Sequence, residues 1–342
     1  MIELLRARLR QGHRTIAYPH GSAPELPELF RGRPRFEESR CAADCRACAE
    51  ACPTSAIEIV DGPLPATDNA RAGRKPASES ANREAGAASE NSEHAPGAAG
   101  EPEVPGSNRR GRIHLDLGRC LFCDDCRRAC PEGAISHERN HRLAVRHRDD
   151  LRLGPEELRL ADALEEKIRS VLGRALCLRV VSAGGCGACE ADTNVLTTIG
   201  WDIGRFGIRY VASPRHADGL LITGPVTANM REALRKTYDA IPSPKIVIAV
   251  GACAISGGPF AGLSGSAPEG IATSTGGGLE SGPARDPGAA GAETVVPVDL
   301  YVPGCPPHPL TILDGLLRLL GVSRRERPVP PAGPGPGRAL RG

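Results

Sequence analysis

Four short apolar runs, CLRVVS (177–182), GLLITG (219–224), KIVIAVG (245–251) and VDLYVPG (298–304), alternate with stretches of helical period near 189–199, 227–241 and 308–320. Continuous apolar runs of this length suit strands buried on both faces, and helices between such strands act as crossovers, which makes the strands parallel. The pattern predicts an α/β domain over 177–322. Just before it, GPEELRLADALEEKIRSVLG (154–173) sets Leu158, Ala161, Leu164, Ile168 and Val171 on one helical face. With Pro155 and acids at its start and Gly173 at its exit, this reads as a linker helix within 151–176. In parallel sheets, sites collect in the loops beyond the carboxyl ends of the strands. Cys186, Cys253 and Cys305 each follow a predicted strand, so all three are expected at one edge of one sheet.

The rest of the chain has weaker periodicity. Residues 61–111 hold almost no large apolar side chains, and 262–293 are similarly rich in Gly, Ala, Ser and Pro. Such compositions cannot bury enough surface to offset ordering entropy, so both are expected to be disordered insertions, as is the Pro- and Arg-rich tail 323–342. The domains are then 1–150, interrupted by 61–111, and 177–322, interrupted by 262–293. No run approaches the ~18 apolar residues of a membrane span, and MIELLRARLR lacks the apolar core of an export signal. A cytoplasmic location is expected. The net charge of +2 without a clustered basic footprint argues against nucleic acid as a partner. Thirteen cysteines in such a chain point to metal ligands rather than disulfides. No Walker A, Gly-x-Gly-x-x-Gly, His-Glu-x-x-His or nucleophile-elbow sequence stands in a convincing setting, which leaves nucleotide binding and hydrolysis unsupported.

CLFCDDCRRACP (120–131) matches the bacterial ferredoxin run C-x2-C-x2-C-x3-C-P at every position. CAADCRACAEACP (41–53) repeats it with one extra residue, as C-x3-C-x2-C-x3-C-P. In two-cluster ferredoxins the fourth thiol of each run serves the other cluster. One 4Fe-4S cluster is then expected on Cys41, Cys45, Cys48 and Cys130, and a second on Cys120, Cys123, Cys126 and Cys52. An α+β, ferredoxin-like fold is expected for the N-terminal domain. Paired structural zinc sites, and with them a zinc-stabilised interaction scaffold, are the competing reading of C-x2-C pairs.

Cys186 and Cys189 in GGCGACE form a Cys-x-x-Cys pair that read alone suits a redox dithiol or half a zinc site. VGACAISGG (250–258) and VPGCPP (302–307) add Cys253 and Cys305, giving the four thiolates a third 4Fe-4S cluster requires. A dithiol would need neither. Glycines around each thiol let backbone N–H groups approach cluster sulfurs.

These segments carry a resemblance. Residues 1–60 and 111–150, with MIELLRARLRQGHRTIAYP, FRGRPRF and both cysteine runs, resemble the two-cluster ferredoxin subunit of formate hydrogenlyase and its complex I relatives. Residues 177–322, with GRFGI (204–208), SPRHAD (213–218), LLITGPVT (220–227), IAVGACAISGG (248–258) and VDLYVPGCPP (298–307), resemble the cluster-bearing small subunit of energy-converting nickel-iron hydrogenases and its B-type counterpart in complex I. The resemblance implies a flavodoxin-like sheet and the ligands Cys186, Cys189, Cys253 and Cys305. Complex I subunits of this type have adjacent cysteines where hydrogenase small subunits have Cys-x-x-Cys, so the 186–189 spacing sides with hydrogenases. The long insertion at 262–293 departs from the family, in which a shorter connection helps form the subunit contact.

The resemblance implies an oxidoreductase subunit that passes electrons through three 4Fe-4S clusters to a catalytic large subunit and has no complete active site of its own. The other implied partners are membrane-arm subunits and a donor such as formate dehydrogenase or ferredoxin. The chain would then sit peripherally on the cytoplasmic face of the cell membrane. A complex I-like NADH/quinone oxidoreductase is the alternative assembly. Ile2, Leu4, Leu5 and Leu9 form a stripe on an N-terminal helix that faces either a partner or its own domain. Smaller expectations are Glu190 as an acid at a helix N-terminus rather than a proton carrier or a contact to the catalytic subunit, Arg215 and His216 beside the third cluster or in a loop ion pair, His308 as a cap or surface residue, and Cys177 as a core residue.

Overall fold

The computed structural model describes residues 2–12, 14–42, 44–60, 112–154, 158–163, 175–261 and 291–322. The expectations for 61–111, 262–290 and 323–342 lie outside them.

The first half begins with helix α1 (Ile2–Gln11), which buries none of its residues; Ile2, Leu4, Leu5 and Leu9 all stand exposed. Next come β1 (Pro34–Phe36), α2 (Ala47–Glu50), β2 (Ile57–Val60), β3 (Arg112–Asp116), α3 (Asp125–Ala129), β4 (Ile135–His137) and β5 (Arg152–Leu153). Strands β1 and β4 pair antiparallel, and β2, β3 and β5 form a second antiparallel sheet. Val60 lies opposite Arg112, so residues 61–111 leave and rejoin the fold at one hairpin end.

The second half contains β6 (Leu176–Ser182), α4 (Ala188–Val195), β7 (Ile208–Tyr210), β8 (Gly219–Thr223), α5 (Ala228–Asp239), β9 (Ile246–Val250), α6 (Ala252–Ser256), β10 (Leu300–Val302) and α7 (Pro309–Leu319). All its strand pairs are parallel, in the order β10-β9-β8-β6-β7. Counted from the first strand of this half, that is the flavodoxin-like order 2-1-3-4-5, whose switch point lies between the first and third strands, here β6 and β8. Every residue of β8 and β9 is buried, as their unbroken apolar runs predict.

Side chains alternate between two cores. Leu220, Ile222, Val247 and Ala249 face a core that continues into Ile57, Leu115 and Phe122 of the first half. Leu221, Ile246 and Ile248 face α7, with Leu313, Leu316 and Leu317. Each such fully buried side chain contributes on the order of 1.5–3 kcal/mol. The second core also takes in Tyr18, Ile16, Leu26 and Ala144 from the first half. Tyr18 donates its phenol proton to Asp314, a fully buried carboxylate that also accepts from Arg318 Nε at 2.7 Å. Further ties join the halves: Val145 bridges Tyr301, and Ser256 Oγ donates to Gly118 O at 2.8 Å.

Two sequence expectations need correction. Residues 158–163, within the predicted linker helix, run without regular structure, with the Ala161 N–H engaged by Ala144 and Ala161 buried in the second core; residues 155–157 and 164–173 of that expectation lie outside the described residues. Residues 291–293, assigned to the second insertion, are structured: Ala292 is fully buried in a 3₁₀ turn, and Gly291, at φ 83°, packs against the Ile255 carbonyl, where a Cβ would lie 2.5 Å away.

Candidate metal centres

The two ferredoxin-type runs fold alike. In each a short helix begins one residue before the third thiol, α2 before Cys48 and α3 before Cys126. A left-handed residue precedes the second thiol in both, Asp44 at φ 62° and Phe122 at φ 53°. The extra residue of the first run is therefore taken up ahead of Asp44, and the turn into Cys45 keeps its hand. Three residues after the last thiol, Ser55 (φ 49°) and Gly133 (φ 56°) turn the chain back. The Ala56 N–H then donates to Cys52 Sγ at 3.2 Å and the Ala134 N–H to Cys130 Sγ at 3.3 Å. Backbone donors thus point at the last sulfur of each run.

These turns gather the thiols across the runs. Cys41, Cys45, Cys48 and Cys130 line one cavity, walled by Ile59, Ile113 and Ile135. Cys52, Cys120, Cys123 and Cys126 line another, walled by Ile57, Leu115 and Phe122. Each takes three thiols from one run and the fourth from the other. Between Cys123 and Cys126, Asp124 (φ 78°) is gripped by Arg127 through two bonds of 2.6 Å. Those bonds hold its carboxyl below the usual range despite burial, and His137 Nε2 lies 3.1 Å away.

The third group lies at the carboxyl ends of β6, β9 and β10, at the switch point. The loops after β6 and β8 touch there, leaving no room for a side chain: a Cβ on Gly185 would meet Gly224 Cα at 2.9 Å. Cys189 lies within electrostatic reach of Cys305, Cys253 and Cys186, and Cys253 within reach of Cys305 and Cys186. Gly251 (φ 92°) makes space for this group, since a Cβ there would stand 2.6 Å from Cys189 Sγ; a Cβ on Gly258 (φ 56°) would stand 2.9 Å from Cys253 Sγ. Cys186 and Cys305 are exposed while Cys189 and Cys253 are partly buried, so this group opens to the surface on one side.

Burial pushes the Cys120 thiol up to about 12, against the pull of the Phe122 N–H. Burial, then neighbouring thiols, raises Cys126 and Cys253 to about 11. Cys189 rises for the same two reasons. Four thiolates cannot be held together in such spaces without compensating positive charge. The two dicluster sets of thiols each line a cavity with apolar walls. In the two dicluster cavities, apolar walls, four thiols and N–H donors to sulfur fit an iron–sulfur cubane.

Residues 186–319 match the family model described as "NADH ubiquinone oxidoreductase, 20 Kd subunit", and residues 40–134 match a "4Fe-4S dicluster domain". The probable membrane-bound hydrogenase subunit mbhJ of Pyrococcus furiosus is 37% identical over 160 residues, covering 46% of this chain and 83% of that protein. The chain belongs to the NADH ubiquinone oxidoreductase 20 Kd subunit family. Formate hydrogenlyase subunit 7 of Escherichia coli is 39% identical over 155 residues, 45% of this chain and 51% of that protein. An NADH-quinone oxidoreductase subunit of Desulfovibrio desulfuricans is 34% identical over 143 residues, 42% of this chain and 66% of that protein. The match to the 4Fe-4S dicluster domain thus lies ahead of the family region in this chain.

Other residues of the 20 Kd region fall into place by contact. Glu190, in the first turn of α4, accepts from Thr223 Oγ1 at 2.7 Å. Burial pushes its pKa up, but hydrogen bonds from Ser182 and Thr223 outweigh that and keep the carboxyl ionised beside Cys189. His308 caps α7, its Nδ1 accepting from the Leu310 N–H at 3.1 Å. Arg215 and His216 are exposed on a turn ahead of β8. The parallel topology puts them at the strands' amino ends, opposite the third thiol group, so they do not lie beside it. Cys177 is half-buried on β6 rather than wholly in the core, with its backbone N–H held by Asp218 Oδ2 at 2.7 Å. The small space left by Gly251 and Gly258 and the Asp124–Arg127 lock had no signal beyond the glycines of VGACAISGG and the charges in CDDCRR.

Proposed function

We propose that this chain is the iron–sulfur electron-transfer subunit of a membrane-associated, formate hydrogenlyase-type hydrogenase. Three 4Fe-4S clusters would be held by Cys41, Cys45, Cys48 and Cys130; by Cys52, Cys120, Cys123 and Cys126; and by Cys186, Cys189, Cys253 and Cys305. The observation that carries the reading is the thiol crossing in the two dicluster cavities, followed by a third thiol group at the sheet's switch point. When bound, such clusters each take up and release one electron, which suits relay to a partner's active site.

The chain's own residues supply position and insulation. Isoleucines and Phe122 keep water from the two inner groups, and the N–H donors on Cys52, Cys120 and Cys130 stabilise negative charge at sulfur. The outer group, with Cys186 and Cys305 exposed, is where a large subunit would dock. Nickel coordination would belong to that partner, since the one remaining thiol here is Cys177. Among the described residues no helix is long and apolar enough to cross a membrane, so attachment to the cytoplasmic face would pass through partner subunits. Membrane-arm subunits and a donor such as formate dehydrogenase or ferredoxin complete the proposed assembly. The domain boundaries near 150 and 177 divide it by cluster type.

The Cys-x-x-Cys spacing at 186–189 favours a hydrogenase over a quinone reductase. The purified complex is expected to evolve hydrogen from a reduced low-potential donor and to lack donor:quinone activity. Quinone reduction without hydrogen evolution would transfer the chain to a complex I-like assembly.

A further inference from the structure

Residues 14–33 cross both halves of the molecule. At their start, Arg205 forks onto the carbonyls of Ile16 at 2.6 Å and Tyr18 at 2.8 Å, and the Ile16 N–H reaches Gly200 O at 2.9 Å. At their end, Arg139 donates to Leu26 O at 3.2 Å and the Gly32 N–H to Glu138 O at 3.1 Å. The segment is thus tied to the sheet half at one end and to the dicluster half at the other.

Phe30 and Arg31 occupy the crossing. Arg31 Nη1 donates to the Cys123 carbonyl at 2.9 Å, while the Phe30 ring meets His308 edge-on with centroids 5.7 Å apart. Both line a cavity of about 260 Å³ together with Phe122, Asp192, Cys305 and His308. The second and third groups approach one another here: Arg31, bonded to the Cys123 carbonyl, and Phe122, next to Cys123, line the same cavity as Cys305. Arg31 is the one cation lining this junction cavity among the described residues.

We propose that Arg31 is a positioning residue for electron transfer between the second and third thiol groups. Its bond to the Cys123 carbonyl holds the second group's loop at the junction. Its charge there stabilises the extra negative charge that arrives with an electron. The inference rests on the cluster reading above and adds a residue that is neither a ligand nor a neighbour of one in sequence.

The test compares Arg31→Gln and Arg31→Lys with the unaltered full chain, purified anaerobically. Iron content is measured, and the EPR signal that Cys52→Ala removes is followed through a redox titration. Arg31→Gln is expected to keep its iron and all signals while that signal's reduction equilibrium weakens roughly three- to tenfold, tenfold being about 59 mV for one electron. Arg31→Lys, which keeps the charge, is expected to stay within roughly twofold of the unaltered chain. An unchanged potential in Arg31→Gln, or an equal shift in both variants, would overturn the inference. Loss of the signal in Arg31→Gln would overturn it too, by making Arg31 a folding residue. All three outcomes leave the cluster reading standing, whereas an unaltered chain without iron overturns both.

Discussion

Cys253→Ala is expected to remove about four of the roughly twelve irons that three cubanes hold and to abolish one EPR signal, leaving the other two intact. The reason is local. Cys253 sits at the start of α6, directly after the buried strand β9, and is partly buried within electrostatic reach of Cys305 and Cys186. Glu190, the carboxylate within its electrostatic reach, is held by Thr223 and is not placed to replace its sulfur. The dicluster cavities share no thiol with this group, so they should keep their metal. Activity in the assembled complex should fall to background because the exposed end of the relay is missing, while dye reduction through the two inner centres persists. Iron analysis and EPR of the variant check this; three surviving signals would remove Cys253 from the ligand set.

Cys52→Ala makes the second large effect, and it discriminates between two ways of grouping the same sulfurs. By sequence order Cys52 belongs with Cys41, Cys45 and Cys48. By position it lines the cavity of Cys120, Cys123 and Cys126, with Thr54 Oγ1 beside it bonded to the Arg119 carbonyl at 2.7 Å. The variant is therefore expected to lose the same EPR signal as Cys126→Ala, with about four irons, and to keep the one that Cys48→Ala loses. Matching spectra for Cys52→Ala and Cys48→Ala would mean that each run closes on itself.

Much of this was legible in the residues. The runs CLRVVS, GLLITG, KIVIAVG and VDLYVPG became β6, β8, β9 and β10, since strands buried on both faces must be apolar throughout and little else makes such runs. The thiols fall where the strands end because loops there meet at the switch point. Strand β7 has no comparable signal: it has three residues and pairs only along the start of β6, too short to show a period. Within GPEELRLADALEEKIRSVLG, residues 158–163 are not helical: Ala161 spends its N–H on Ala144 in the second core, a tertiary contact that helical periodicity cannot announce, while 164–173 lie outside the described residues. The same holds for 14–33. That stretch has neither strand alternation nor a helical face, and its place is set by Arg205, Asp314 and Arg139, residues far away along the chain. The dicluster spacing, by contrast, was explicit in sequence, because the turns that wrap a cluster are local.

Iron and acid-labile sulfide per chain, with the Mössbauer spectrum of the anaerobically purified protein, test the central claim most directly. Three thiol tetrads predict a brown protein with on the order of twelve irons and twelve sulfides, all in cubane form. A colourless chain carrying zinc, or about eight irons with nothing at the sheet edge, would contradict it.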